Sequence, residues 1–204
     1  MKIILDNISK KYNNKWILKN FSQEFSNNLY GITGLNGSGK TTLIKIIFGY
    51  ISPNSGKVIY YNKESIIENR IGIFSFAAPY QHLIEELTLT ESINFHFQFL
   101  NPISKIKKEH ILKKIELEEY KNLKIHDFSS GMKQKLKLGL ALFSDTKFTL
   151  LDEPCTNLDN NGISWYHKTI DETLKFKKII IATNNQIDIN RNDATIIDLN
   201  KIKK

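Results

Sequence analysis

Apolar positions along the chain recur first with period two and later at helical spacing. KIILDNISKKY (2–12), WILKNFSQEF (16–25) and NLYGIT (28–33) have the alternation or short apolar run of strands. LIKIIFGY (43–50) is apolar at helical spacing, SPNSG (52–56) is a turn signal, and GKVIYYN (56–62) and RIGIFSFA (70–77) are strand-like again. From about Glu85 to Lys124 the spacing predicts mainly helix, broken at PISK (102–105), with KKEHILKKIELEEYKNL (107–123) as an amphipathic segment. FSSGMKQKLKLGLALF (128–143) opens a further helix, with Ser129 or Ser130 as its cap. KFTLLDEP (147–154) predicts a buried strand ending in two acids and a proline. A helix follows over about Asn160–Leu174, and KKIIIATNN (177–185) and ATIIDLNK (194–201) are two last strands. Strands and helices alternate on both sides of a helical insert, which predicts a mainly parallel α/β sheet.

One stretch carries chemistry at every position. GLNGSGKTT, made of Gly34, Leu35, Asn36, Gly37, Ser38, Gly39, Lys40, Thr41 and Thr42, fits the G-x-x-x-x-G-K-[ST] pattern between a predicted strand and a predicted helix. The glycines permit backbone conformations that turn successive N–H groups toward a phosphate chain, and the helix start adds roughly half a positive charge. In such a loop Lys40 reaches the terminal phosphates and the Thr41 hydroxyl sits on Mg²⁺. A plain glycine-rich turn has no need of the Lys-Thr pair at this spacing.

Composition narrows the class. The 204 residues suffice for one domain with a real core, and 41% apolar with 25% charged residues is globular rather than disordered or membrane-embedded. No apolar run approaches the roughly 18–20 residues of a membrane span. The start, MKIILDNISKKY, lacks the long apolar core and cleavage site of a secretion signal, so the cytosol is the expected location. The one cysteine, Cys155, has no disulfide partner, and no Cys/His cluster has metal-ligand spacing. The net charge of +8 is read as a solvated lysine-rich surface, the KIKK end included, and no nucleic-acid partner is expected.

The order of the P-loop, FSSGMKQKL, FTLLDEP and TNLD resembles an ATP-binding-cassette ATPase, the nucleotide-binding subunit of membrane transporters, over nearly the whole chain. GMKQKL is similar to the exporter-type version. The resemblance implies a P-loop NTPase fold over 1–204, mainly parallel with an antiparallel β portion and a helical subdomain at about 85–135. It implies ATP and Mg²⁺ as ligands, and a separate transmembrane permease as partner at the cytoplasmic face of the membrane. It also implies a homodimer or heterodimer of ATPase subunits that sandwiches two nucleotides. By the same resemblance Asp152 holds Mg²⁺ and Glu153 is the general base. Ser129, Ser130 and Gly131 present a hydroxyl and N–H groups to the partner subunit's ATP, and Asp159 contacts that subunit across the loop Asn157–Asp159. Tyr12 is placed to stack on adenine, with Trp16 as the second candidate.

The chain departs from the family pattern at two places. Pro79 stands where a glutamine touches Mg²⁺ and the attacking water, and Gln81 or a backbone group is expected to supply that contact. Asn184 stands where a histidine contacts the γ-phosphate; an amide donates a hydrogen bond but carries no charge. Slow but real hydrolysis is therefore expected, the alternatives being a nucleotide-gated dimerisation switch with little turnover or a soluble nucleic-acid-associated cassette. Cys155 is read as a buried, inert thiol, and none of the five histidines is given a catalytic role. Phe95, Phe97 and Phe99 are expected in the core; the sharper expectation is that some of them, with Tyr80 and Leu83, line a groove for a cytoplasmic helix of the permease.

Overall fold

A computed structural model describes residues 1–63, 65–103 and 106–201. Among these, the long alternating segments at the start pair with one another. β1 (Lys2–Tyr12) lies antiparallel to β2 (Lys15–Phe25) and to β4 (Ser55–Asn62), which pairs with the short β5 (Ser65–Ile66) in the order β2-β1-β4-β5. β1 and β2 turn directly into one another through Asn13 and Asn14, both at positive φ, where asparagine is tolerated better than most side chains.

The short apolar runs form the second sheet. β3 (Leu29–Thr33), β6 (Phe74–Ala77), β7 (Phe148–Asp152), β8 (Lys178–Thr183) and β9 (Thr195–Asp198) are all parallel, in the order β6-β7-β8-β3-β9. Every residue of β7 is buried, as a parallel strand covered on both faces requires. Successive residues divide between two cores. Ile179 and Ile181 of β8 face the core under the helical part, while Ile180 and Ala182 face the core shared with the antiparallel sheet. α1 (Lys40–Phe48) seals the second core with Leu43, Ile44, Ile46 and Ile47. Each such fully buried Leu or Ile contributes about 1.5–3 kcal/mol relative to exposure.

α2 (Leu89–Phe99), α3 (Lys108–Lys114), α4 (Ser130–Phe143) and α5 (Asn160–Thr173) cover the other face. The long helical segment expected before Lys124 is shorter than its spacing suggests. α3 ends at Lys114, Glu116 takes a φ of +54°, and only single 3₁₀ turns follow at Glu118–Tyr120 and Ile125–Asp127. Ile111, Ile115, Leu117 and Ile125 still bury, so the apolar spacing served packing without a continuous helix. The predicted break at 102–105 and the KIKK end lie partly outside the described residues.

The C-terminal end of α4 and the loop before β7 are held together by a buried amine. Lys177 is 5% exposed and its Nζ donates to the carbonyls of Ala141 and Ser144 and to Thr146 Oγ1, which satisfies the open end of α4. Burial lowers this ammonium to about 7, against the pull of the Asp145 charge. Unfolded lysine titrates near 10.4. Between these values the unfolded chain holds a proton that the folded chain has released, so the Lys177 contribution to stability rises with pH from about 7 to about 10. Lys177→Met leaves two buried carbonyls without their donor and is expected to cost about 2–4 kcal/mol at pH 9, and less at pH 6. Urea unfolding at the two pH values measures it; an equal loss at both would show that the amine does not titrate in the fold.

Candidate active site

Because β3, β6, β7 and β8 run parallel, their C-terminal ends emerge at one edge of the sheet, the place where open α/β sheets bind ligands. β3 leads into Gly34–Thr42, β7 ends in Asp152 with Glu153 next, β8 leads into Asn184, and β6 leads into Pro79 and Tyr80. The topology thus gathers residues from four distant parts of the sequence.

The loop between β3 and α1 is tightly built. Gly39 caps α1 at φ +108°, and a Cβ there would lie 2.7 Å from Ile17 Cγ2 of β2, so a side chain is excluded by both conformation and space. Lys40 is 6% exposed and its Nζ donates to the carbonyls of Gly34 (2.9 Å) and Leu35 (3.3 Å), while lying 4.0 Å from Glu153 Oε1. A cavity of about 240 Å³ is lined by Tyr12, Asn36, Gly37, Gly39, Lys40, Thr41, Thr42 and Glu153. Tyr12 is half exposed there with Lys10 Nζ 5.4 Å from its ring centre. Trp16 does not line this cavity; Lys11 sits against its ring instead.

Asp152 is buried, and its Oδ1 has no hydrogen-bond partner among the described residues. Burial raises its carboxyl above the ordinary value, against the lowering effect of the Thr41 and Tyr80 hydroxyls and the Lys40 and Lys45 charges. An unpartnered carboxylate oxygen, with the Thr41 hydroxyl close to the same carboxyl, suits Mg²⁺. That ion is held by one or two carboxylates with substrate phosphates rather than by a protein cage. Among the described residues no cluster of three or more acids, histidines or cysteines offers a self-contained metal site.

Glu153 occupies a left-handed conformation, φ +47°, and its N–H donates to Ala182 O at 2.8 Å, which fixes it across β8. Its carboxyl is raised by burial first, opposed by Lys40, with the charges of Asp188 and Asp152 adding to the rise. Asn184 reaches the loop directly, its Nδ2 donating to Asn36 Oδ1 at 2.9 Å.

The residues of FSSGM stand apart from this cavity on an exposed helix start. Ser129 is the cap of α4 and accepts from Met132 N–H, and Ser130 begins the helix. Gly131 packs so closely on the carbonyl of Asn157 that a Cβ would lie 3.0 Å from it. Asp159 caps α5 by accepting from Gly162 N–H at 2.7 Å and is otherwise exposed.

Three residues at or behind the site carried no such role in the sequence. Gln134 Nε2 donates to Pro154 O at 2.8 Å, tying α4 to the loop after Glu153. Asp188, buried, accepts from Cys155 N–H and from the Thr183 hydroxyl, joining that loop to the end of β8. Tyr80 donates through its hydroxyl to Asp152 Oδ2 at 3.2 Å. Gln81 makes no hydrogen bond to Asp152; its Oε1 is buried without a partner among the described residues, along a second cavity of about 450 Å³ lined also by Lys45, Phe48, Phe76 and His96. Of the three phenylalanines, Phe97 is core, whereas Phe95 and Phe99 are exposed and packed edge to face at 5.3 Å. Cys155 is buried, its thiol raised mainly by burial, and His96 is lowered to about 4 by burial beside Ser144.

Residues 18–156 match the family model described as ABC transporter. An uncharacterized ABC transporter ATP-binding protein, YybJ of Bacillus subtilis, is 32% identical over 192 residues, 90% of this chain and 85% of its own length. A putative ABC transporter ATP-binding protein from Pyrococcus furiosus shares the fold at a TM-score of 0.82, with 22% identity and full coverage of both chains. The ATP-binding cassette MJ0796, solved as a dimer in a post-hydrolysis state with ADP and Pi, gives 0.79 at 23% identity over 96% of this chain and 93% of its own.

Proposed function

Because the chain belongs to the ABC transporter family, as one of its ATP-binding domains, we propose that it binds and hydrolyses ATP and drives a separate transmembrane permease through nucleotide-dependent dimerisation. The observation that carries this reading is the meeting of the Gly34–Thr42 loop, the unpartnered Asp152 oxygen and Glu153 at one sheet edge, with the α4 start left exposed elsewhere on the same chain. No helix among the described residues is long and apolar enough to cross a membrane. The exposed pair Phe95 and Phe99, with Tyr80, offers the permease apolar surface. The working site is the cytoplasmic face.

In this mechanism the phosphates lie in the loop, with Lys40 as the cation on the β- and γ-phosphates and Tyr12 against the base. Thr41 and Asp152 would hold Mg²⁺, which when bound would supply charge neutralisation to the phosphates. Glu153 orients the attacking water and takes its proton as the oxygen bonds to phosphorus and ADP leaves. Its raised carboxyl makes it a stronger base than an ordinary glutamate. Asn184 donates to the γ-phosphate after exchanging its bond with Asn36. Ser129, Ser130, Gly131 and Asp159 act on the nucleotide or edge of the partner copy.

Turnover of Mg²⁺-ATP and nucleotide-dependent size, measured on the same purified chain, test the reading. Hydrolysis with ATP-dependent dimerisation supports it. Dimerisation without hydrolysis, also with a permease present, would favour the second reading, a nucleotide-gated switch, for which the uncharged Asn184 is the motivating observation. Neither binding nor dimerisation would overturn both.

A further inference from the structure

Pro79 does more than remove an amide. Gln81 N–H donates to Ala78 O at 3.1 Å, closing a turn over 78–81 with Pro79 at its second position, where the ring's fixed φ is already correct. The turn is anchored from α4, since Lys137 Nζ donates to Pro79 O at 3.0 Å. Its third residue, Tyr80, stays partly exposed but places its hydroxyl on Asp152 Oδ2, and Gln81 lines the neighbouring cavity. The Tyr80 ring lies 6.1 Å from the Phe76 ring, centre to centre, with Lys45 Nζ 4.2 Å from its own centre.

From this geometry we propose that Tyr80 is a positioning residue for the cation site: it holds Asp152 by Oδ2 and so directs the unpartnered Oδ1 toward the metal. The proposal rests on the reading of Asp152 as the metal acid. A carboxylate that is free to rotate loses part of its affinity to the disorder of its two oxygens, and a second hydrogen-bonded partner removes that freedom. The hydroxyl is the one group of Tyr80 on the acid, while its ring keeps the place by stacking on Lys45. Tyr80→Phe therefore deletes the contact and leaves the ring packing.

The test is Mn²⁺ affinity of the nucleotide-loaded chain, followed by electron paramagnetic resonance, on wild type, Tyr80→Phe and Gln81→Ala, with nucleotide affinity in EDTA as the control of fold. The expected result is an increase in the Mn²⁺ Kd on the order of 10-fold for Tyr80→Phe, with metal-free nucleotide affinity unchanged and Gln81→Ala near wild type. An unchanged or tighter Kd in Tyr80→Phe overturns the proposal, as does a loss confined to Gln81→Ala. A wild type that binds no Mn²⁺ with nucleotide overturns the metal site itself and the proposal with it.

Discussion

Glu153→Gln is expected to lower Mg²⁺-ATP turnover by roughly 10²–10⁴-fold, the range a positioned general base contributes, while nucleotide binding persists and the ATP-bound dimer becomes longer lived. The amide has the shape of the carboxylate but cannot take the proton of the attacking water. Nothing structural should follow from the change. The backbone of residue 153 is fixed by its own N–H to Ala182 O, and the side chain is 29% exposed at the cavity wall. Among the described residues the carboxylate's close ionic contact is Lys40, at 4.0 Å, the group that ATP would claim. A pH profile gives an independent readout. Burial and the Asp188 and Asp152 charges raise the Glu153 carboxyl, so the base is lost to protonation at a higher pH than for an ordinary glutamate, and the wild-type rate should fall on acidification through that raised value. The residual rate of the mutant should lack this inflection. Turnover reduced by less than about tenfold would move the base elsewhere.

The parts legible in the sequence are those whose chemistry fixes residue types at short spacing. GLNGSGKTT places glycine where φ is positive, at Gly34, Gly37 and Gly39, with Gly39 under Ile17 and Lys40 buried beside it. FTLLD was readable as a strand because a parallel strand buried on both faces is one continuous apolar run. What could not be read depends on long-range placement. The bonds from Gln134 to Pro154 and from Cys155 N–H to Asp188 join residues 20 and 33 positions apart, and no periodicity encodes them. Pro79 was legible as an absent amide but not as the corner that aims Tyr80, because a turn's direction is set by the strand before it and by the Lys137 anchor. The amphipathic spacing of 107–123 marked burial correctly and helix length incorrectly, since a left-handed residue at Glu116 satisfies the same apolar contacts with a shorter helix.

Lys40→Ala is expected to weaken ATP binding on the order of 10²-fold and, unlike Glu153→Gln, to abolish ATP-dependent dimerisation with it. Hydrogen bonds to charged groups are worth about 1.5–3 kcal/mol each, and the ammonium would make at least one to the terminal phosphates that no neighbouring group replaces. Its Nζ donates to the Gly34 and Leu35 carbonyls, so the loop is folded around the amine. Those carbonyls belong to a loop at the surface, with Leu35 72% exposed, and water can satisfy them when the amine is gone. The fold should therefore survive, with a circular-dichroism melt close to wild type. Lys40→Arg should not rescue binding: the side chain is 7% exposed, and a longer, planar guanidinium cannot follow the same path past Gly39 and Glu153. Calorimetric titration with ATP and the size of the ATP-loaded species measure both effects. Together the two variants separate the steps, because a chain in which both dimerise with ATP uses something other than the Lys40 loop to sense the nucleotide, and one in which neither does cannot owe its assembly to blocked hydrolysis.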